Sequence, residues 1–257
     1  MHIAEVLFEC EKAGDAEAAL EAIDNFLGVL RASGQVLGRE FPMVEAAQGY
    51  RVFLMLPRED SMDRRYDSEY VTKGYAWLAK VGLRTAVAVL GEAPDSAEPC
   101  TCVDRDWLIL YTNYAALESC LRCGACFGPL PLYEVPPDRD MMGELHDKIL
   151  GWQSDCQACD TLQMGCATGE RFGLREMSHH ESSLSKRGRE LCRRIEAGAG
   201  TPTYYYLHRY RGKRGEDEYD RPCPACGSEW RLSEPLHDLF DFKCESCRLL
   251  SNIALSK

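Results

Sequence analysis

The sequence lacks most of the features from which a function is usually read. It has no G-x-S-x-G elbow, no P-loop and no dinucleotide fingerprint, which closes three common routes to an enzymatic reading. Its first nineteen residues place Glu5, Glu9 and Glu11 where a secretory signal needs a basic start and an apolar run. No stretch approaches the ~20 apolar residues of a membrane span. These absences predict a cytoplasmic protein with no membrane partner. Basic charge is also scarce, with 30 Lys and Arg against 41 Asp and Glu and a net charge of −11. That balance excludes a protein that coats nucleic acid over its whole surface, because such binding rests on neutralising phosphates. No low-complexity tract is present.

What the sequence does have is cysteine: 14 of 257 residues, in a chain that is 45% hydrophobic and 28% charged. A chain of this length and composition can bury a core without disulfides. In a reducing compartment, clustered thiols bind metal or do redox chemistry more often than they cross-link.

Residues 1–92 alternate strand and helix patterns. His2–Phe8 is a short apolar run. A helix then begins at Asp15, with Leu20, Ile23, Leu27 and Leu30 at 3–4 spacing and Gly34 to stop it. Two strands, Phe41–Ala47 and Tyr50–Leu56, flank the Gln48-Gly49 turn. A second helix starts near Asp67 or Ser68 and ends at Gly82, and Thr85–Leu90 completes the set. The order β-α-β-β-α-β predicts a ferredoxin-like α+β domain, a fold that by itself implies no function. Residues 91–102 read as an acidic linker. A middle α+β region follows at 103–214, with a strand at Trp107–Tyr111, helices from about Met142 and over Ser183–Ile195, and a strand at Thr203–Leu207. Residues 215–257 form the last segment.

That last segment carries the strongest signal, Cys223-x2-Cys226, seventeen residues, then Cys244-x2-Cys247. The spacing is that of a zinc ribbon. Each pair sits on a tight turn that aims both sulfurs at one ion, and the insert forms a hairpin that completes the tetrahedron. Such a set is closed and structural rather than catalytic, and His237 inside the insert reads as a surface or capping residue. A second thiolate site is expected in the middle region, where Cys120, Cys123 and Cys126 face Cys156, Cys159 and Cys166 across about thirty residues. Cys123 and Cys126 best fit a knuckle, with Cys159 and Cys166 as a plausible second pair. A rival iron–sulfur reading of C-x2-C-x2-C stands beside zinc and beside no metal at all, although Leu130 occupies the position where its fourth cysteine would fall. Cys10, Cys100, Cys102 and Cys192 look unpaired by spacing.

Several stretches resemble a known family. They are Arg122-Cys-Gly-Ala-Cys-Phe-Gly-Pro129, Cys159-Asp-Thr-Leu-Gln163 with Cys166, Gly169-Glu-Arg-Phe172, Pro202-Thr-Tyr-Tyr-Tyr206 and the terminal Phe242–Asn252. Together they are similar to the bacterial family described as Zn-ribbon-containing and as a candidate nucleic-acid binder. The resemblance covers the second half of the chain. It implies a bacterial cytosolic protein of unknown function with a C-terminal ribbon, and it favours Cys123, Cys126, Cys159 and Cys166 over Cys120 and Cys156 as the second set.

Residues 186–214 gather nine basic and two acidic residues around four tyrosines, the ingredients of a phosphate-tracking groove with stacking platforms. Arg193, Arg194, Arg209, Arg211, Lys213 and Arg214 are the candidate contacts. The competing reading is a solvated helix face whose arginines pair with the protein's own carboxylates. Ser178-His-His-Glu181 and Gly169-Glu-Arg171 read as a polar loop and an ion pair. The leading expectation is a non-enzymatic zinc-binding adaptor, with structural zinc and nucleic acid as the partner. A protein–protein module using the acidic N-terminal domain comes second. A metal-dependent or thiol redox enzyme using the middle cysteines comes third.

Overall fold

The protein is described from a computed structural model that covers residues 1–10, 15–94, 96–136, 144–212 and 218–254. By packing, it forms two compact units. The first comprises residues 1–99 with 117–119 and 129–135; the second comprises 100–116, 120–128 and 136–257.

In the first unit, strand β1 (His2–Cys10) buries Ala4, Val6 and Phe8 on one face through the two-residue alternation of a pleated strand. Helix α1 (Ala16–Ser33) starts at the predicted cap, where the Asp15 side chain accepts the Glu17 N–H, and stops at Gly34 with φ 82°. Strands β2 (Met43–Ala46) and β3 (Gly49–Leu56) form a hairpin, helix α2 (Glu69–Lys80) is capped by Ser68, and β4 (Leu83–Glu92) follows. The sheet is antiparallel throughout, in the order β2-β3-β1-β4. Gly74 of α2 lets the helices approach: a Cβ there would lie 2.9 Å from the Phe26 ring. Phe26 meets Phe8 and Tyr75 edge-on, at 6.1 and 4.5 Å between centroids. The outer strand β4 is buried at Leu83, half-buried at Thr85 and exposed from Ala86 to Glu92, with Val87, Val89 and Leu90 at 40%, 39% and 57%.

The second unit is built on a six-stranded mixed sheet in the order β6-β5-β7-β10-β9-β8. Its strands are β5 (Leu108–Leu110), β6 (Leu121–Cys123), β7 (Thr203–Leu207), β8 (Arg231–Leu236), β9 (Phe240–Cys244) and β10 (Leu249–Ser251). Among the described residues of 215–257, the strands join the middle sheet: β10 runs parallel to β7, with Leu249 opposite Tyr205. Helix α3 (Glu144–Gly165) covers the region where a helix was expected from about Met142, a residue outside those described. Helix α4 (Glu170–Ser178) was not foreseen, because its sequence is mostly polar; it docks where Gly173 leaves room for the Cys159 carbonyl. Helix α5 (Ser183–Ala199) is capped by Ser182. Tyr204, Tyr205 and Tyr206 divide as alternation requires. Tyr205 lies with Trp152 (6.0 Å), while Tyr204 and Tyr206 lie with Trp107 and Phe240 (5.1 and 5.3 Å). Tyr204 and Tyr205 are buried, which removes them as stacking platforms for bases.

Candidate metal centres

Cys223, Cys226, Cys244 and Cys247 come together as predicted, each offering a sulfur within 4.8 Å of the others. The local geometry follows from the turns. The Gly227 N–H donates to the Cys223 carbonyl and the Cys223 N–H to the Ser228 carbonyl, both at 2.9 Å, with Gly227 at φ 74°. The matching residue after Cys247 is Arg248, which adopts φ 52° without being glycine. Its carbonyl accepts the Tyr205 N–H at 2.9 Å, and its guanidinium pairs with Glu196 at 3.2 Å. The Ser228 hydroxyl and N–H hold the exposed Cys226 thiol down at about 5, whereas burial raises the Cys223 thiol to about 12.

A second group of four sulfurs also lies within 4.8 Å, but its members are Cys100, Cys102, Cys123 and Cys126. This corrects the expected set. Cys123 and Cys126 belong to it, and Cys159 and Cys166 do not. Cys159 is buried within α3 and Cys166 is exposed just beyond its end, so seven residues of helical rise, about 10 Å, separate them along the axis. The reading of Cys100 and Cys102 as unpaired is likewise corrected. The signal that could have found them is the twenty-residue insert between Cys102 and Cys123, close in length to the insert of the terminal group.

The Cys123–Cys126 turn repeats the terminal one bond for bond. The Phe127 N–H donates to the Cys123 carbonyl and the Cys123 N–H to the Gly128 carbonyl, both at 2.9 Å, and Phe127 takes φ 61° where the other turn has Gly227. The Gly128 N–H points at the Cys126 sulfur (3.4 Å), and the Cys102 N–H at the Cys100 sulfur (3.4 Å). Gly124 is required by packing, since a Cβ there would enter the Trp107 ring. Burial opposes the ionisation of Cys100, but the Cys102 N–H and Arg105 outweigh it and hold the thiol below its ordinary range. An all-sulfur donor set on turns with N–H groups aimed at sulfur fits a divalent metal and is compatible with zinc.

Four other cysteines of the middle region have buried thiols that resist ionisation. Burial raises Cys120 to about 12 and Cys159 to about 11, and pushes Cys156 and Cys192 up as well, so reactive thiolate is scarce there.

The proposed basic contacts are largely engaged. Arg193 pairs with Glu190 at 2.7 Å, Arg209 with Glu218 at 3.2 Å and Arg211 with Glu170 at 3.2 Å, while Arg194 also has a partner. Lys213 and Arg214 lie outside the described residues. Glu170 therefore pairs with Arg211 rather than with Arg171. In the Ser178–Glu181 stretch, Glu181 binds His180 at 2.6 Å and Lys186 at 3.1 Å, an arrangement that serves the start of α5. Among the described residues, no helix is long and apolar enough to cross a membrane.

Three models of domains of unknown function match the chain in succession: DUF8589 over residues 1–91, DUF2310 over 102–208 and DUF8594 over 212–257. Two uncharacterised proteins of Haemophilus influenzae are similar along most of their length. One is 36% identical over 231 residues, covering 87% of each chain; the other is 40% identical over 185 residues, covering 70% of this chain and 89% of its own.

Proposed function

Since the chain belongs to a family of uncharacterised proteins with members in Haemophilus influenzae, its relatives lend it no activity, and we propose that it is a non-enzymatic, metal-braced adaptor of the bacterial cytoplasm. In this reading a ferredoxin-like domain precedes a zinc-ribbon unit, and both groups of four cysteines hold structural zinc. The observation that carries it is the composition of the two groups, each of which consists, among the described residues, of four cysteines. A catalytic zinc keeps a position open for water and takes His or carboxylate ligands, whereas a closed thiolate set supplies folding energy. Purification without added metal should give two zinc ions per chain and a colourless protein. Iron with labile sulfide, or no metal, overturns this reading.

Nucleic acid is one partner class, engaged through the ribbon and the 186–214 segment. Arg193 and Arg211 support it, because their side chains remain 71% and 68% exposed despite their ion pairs. Arg193→Ala with Arg194→Ala should then weaken binding to single-stranded RNA or DNA and flatten its salt dependence. Binding that is absent, or insensitive to salt, removes this partner class.

A protein partner is favoured by a different observation. Strand β4 ends the first sheet with Val87, Val89 and Leu90 exposed, and native proteins seldom leave a long apolar edge uncovered. Val87→Lys with Leu90→Lys should abolish capture of such a partner while leaving the metal content at two.

A further inference from the structure

The hairpin between β8 and β9 ends in a turn over Leu236–Leu239, where His237 and Asp238 both take φ 54°. Such backbone is uncommon for residues other than glycine, although His and Asp tolerate it better than most. The turn brings His237 onto the other thiolate group. Its Nε2–H donates to the Gly124 carbonyl at 2.8 Å, and its ring stacks on Phe127 at 5.1 Å with an interplanar angle of 20°. Gly124 lies between the ligands Cys123 and Cys126, and Phe127 is the positive-φ residue directly after them. One histidine thus grips the ligand turn on both sides. A second contact follows from the same hairpin, where the Lys243 Nζ sits 4.3 Å from the Trp107 ring that covers Gly124. The hairpin is in turn anchored by the terminal cysteines, since β9 runs directly from Phe240 at the tip to Cys244.

We infer that His237 is a positioning residue for the Cys100–Cys126 metal site and couples it to the terminal site, so that the two load metal cooperatively, a proposal that rests on both groups holding metal. Metal at the terminal group fixes the hairpin, the hairpin fixes the Cys123–Cys126 turn, and by linkage the benefit is equal in both directions. Partners that orient ligands in this way are typically worth about 10–100-fold in affinity.

The test is a zinc titration of the reduced, demetallated full-length chain, followed by native mass spectrometry. Two independent sites of equal affinity pass through a one-metal species that reaches about half of the chains, and a coupling of about tenfold limits it to about a quarter. The wild type should show the lower value. His237→Phe, which keeps a stacking ring and loses the donor, should move it towards half. His237→Asn, which keeps a donor and suits the positive φ, should lie between the two. A wild type that fills one site completely before the other, or a His237→Phe profile identical to the wild type, overturns the coupling even though two ions bind. A wild type that binds no zinc instead defeats the two-metal reading itself.

Discussion

The two units solve the same problem of stability by different means. The first has one continuous apolar core, in which Val6, Phe8, Ile23, Phe26, Leu30, Val52, Leu54 and Leu78 are almost wholly buried between one sheet and two helices. Its single described cysteine, Cys10, is exposed and isolated. The second unit has three strands of only three residues each, and one of its apolar clusters centres on just Ile109, Tyr204, Phe240 and Leu250. Both groups of four cysteines lie in this short-stranded unit, and among the described residues the first unit has none. On the proposed reading the contrast is one of means, with metal bracing the unit whose strands are short and an apolar core holding the other.

Removing metal should break the symmetry between the units most strongly. With a chelator in excess, hydrogen exchange across β5–β10 should approach that of an unfolded chain, while β1–β4 keeps its protection. This follows because structural zinc contributes on the order of 10 kcal/mol to small thiolate folds. Equal loss of protection in both units would show that the first also depends on metal. The next largest effect should come from Phe26→Ala, which removes a fully buried ring. It should cost about 3–5 kcal/mol in denaturant unfolding and leave two metals per chain.

A pair of glycine substitutions sharpens the comparison further. Gly124→Ala drives a methyl into Trp107 and should cost about 1–3 kcal/mol together with a measurable loss of zinc affinity. Gly28→Ala, on open helix surface with nothing within 4 Å, should stabilise the first unit by about 0.5–1 kcal/mol. An effect of similar size, but dependent on pH, concerns Glu176. Burial pushes its carboxyl up, but the Leu184 N–H (3.0 Å) and the Ser183 hydroxyl (2.7 Å) hold it below its ordinary value of 4.5. A carboxyl lowered on folding stabilises above its unfolded value, and that contribution fades as pH falls through the folded one. The advantage of the wild type over Glu176→Gln, about 1 kcal/mol at pH 7, should therefore vanish in acid. Thermal melts of the two chains across the acid range would check it.

Much of this architecture is legible in the sequence where the signal is local. Asp15, Gly34 and Ser68 mark helix ends because capping depends on one side chain and its nearest backbone. The terminal cysteines are legible because C-x2-C is a turn motif in itself. The helix α4 is harder to read, since its buried face offers only Leu174 and Met177 as large apolar residues and includes Gly173, packed against the Cys159 carbonyl, and Glu176.

The sequence by itself determined that four terminal thiols would converge and that 1–92 would run β-α-β-β-α-β, because short-range spacing and periodicity dictate both. Only the tertiary structure decided that Cys100 and Cys102, rather than Cys159 and Cys166, complete the second group. The choice turns on the pairing of β5 with β6, which sets Leu108 opposite Cys123, and on the helix α3 that carries residue 159 away from residue 166, and neither is set by distance along the chain. The same holds for His237, whose contact with Gly124 spans 113 residues.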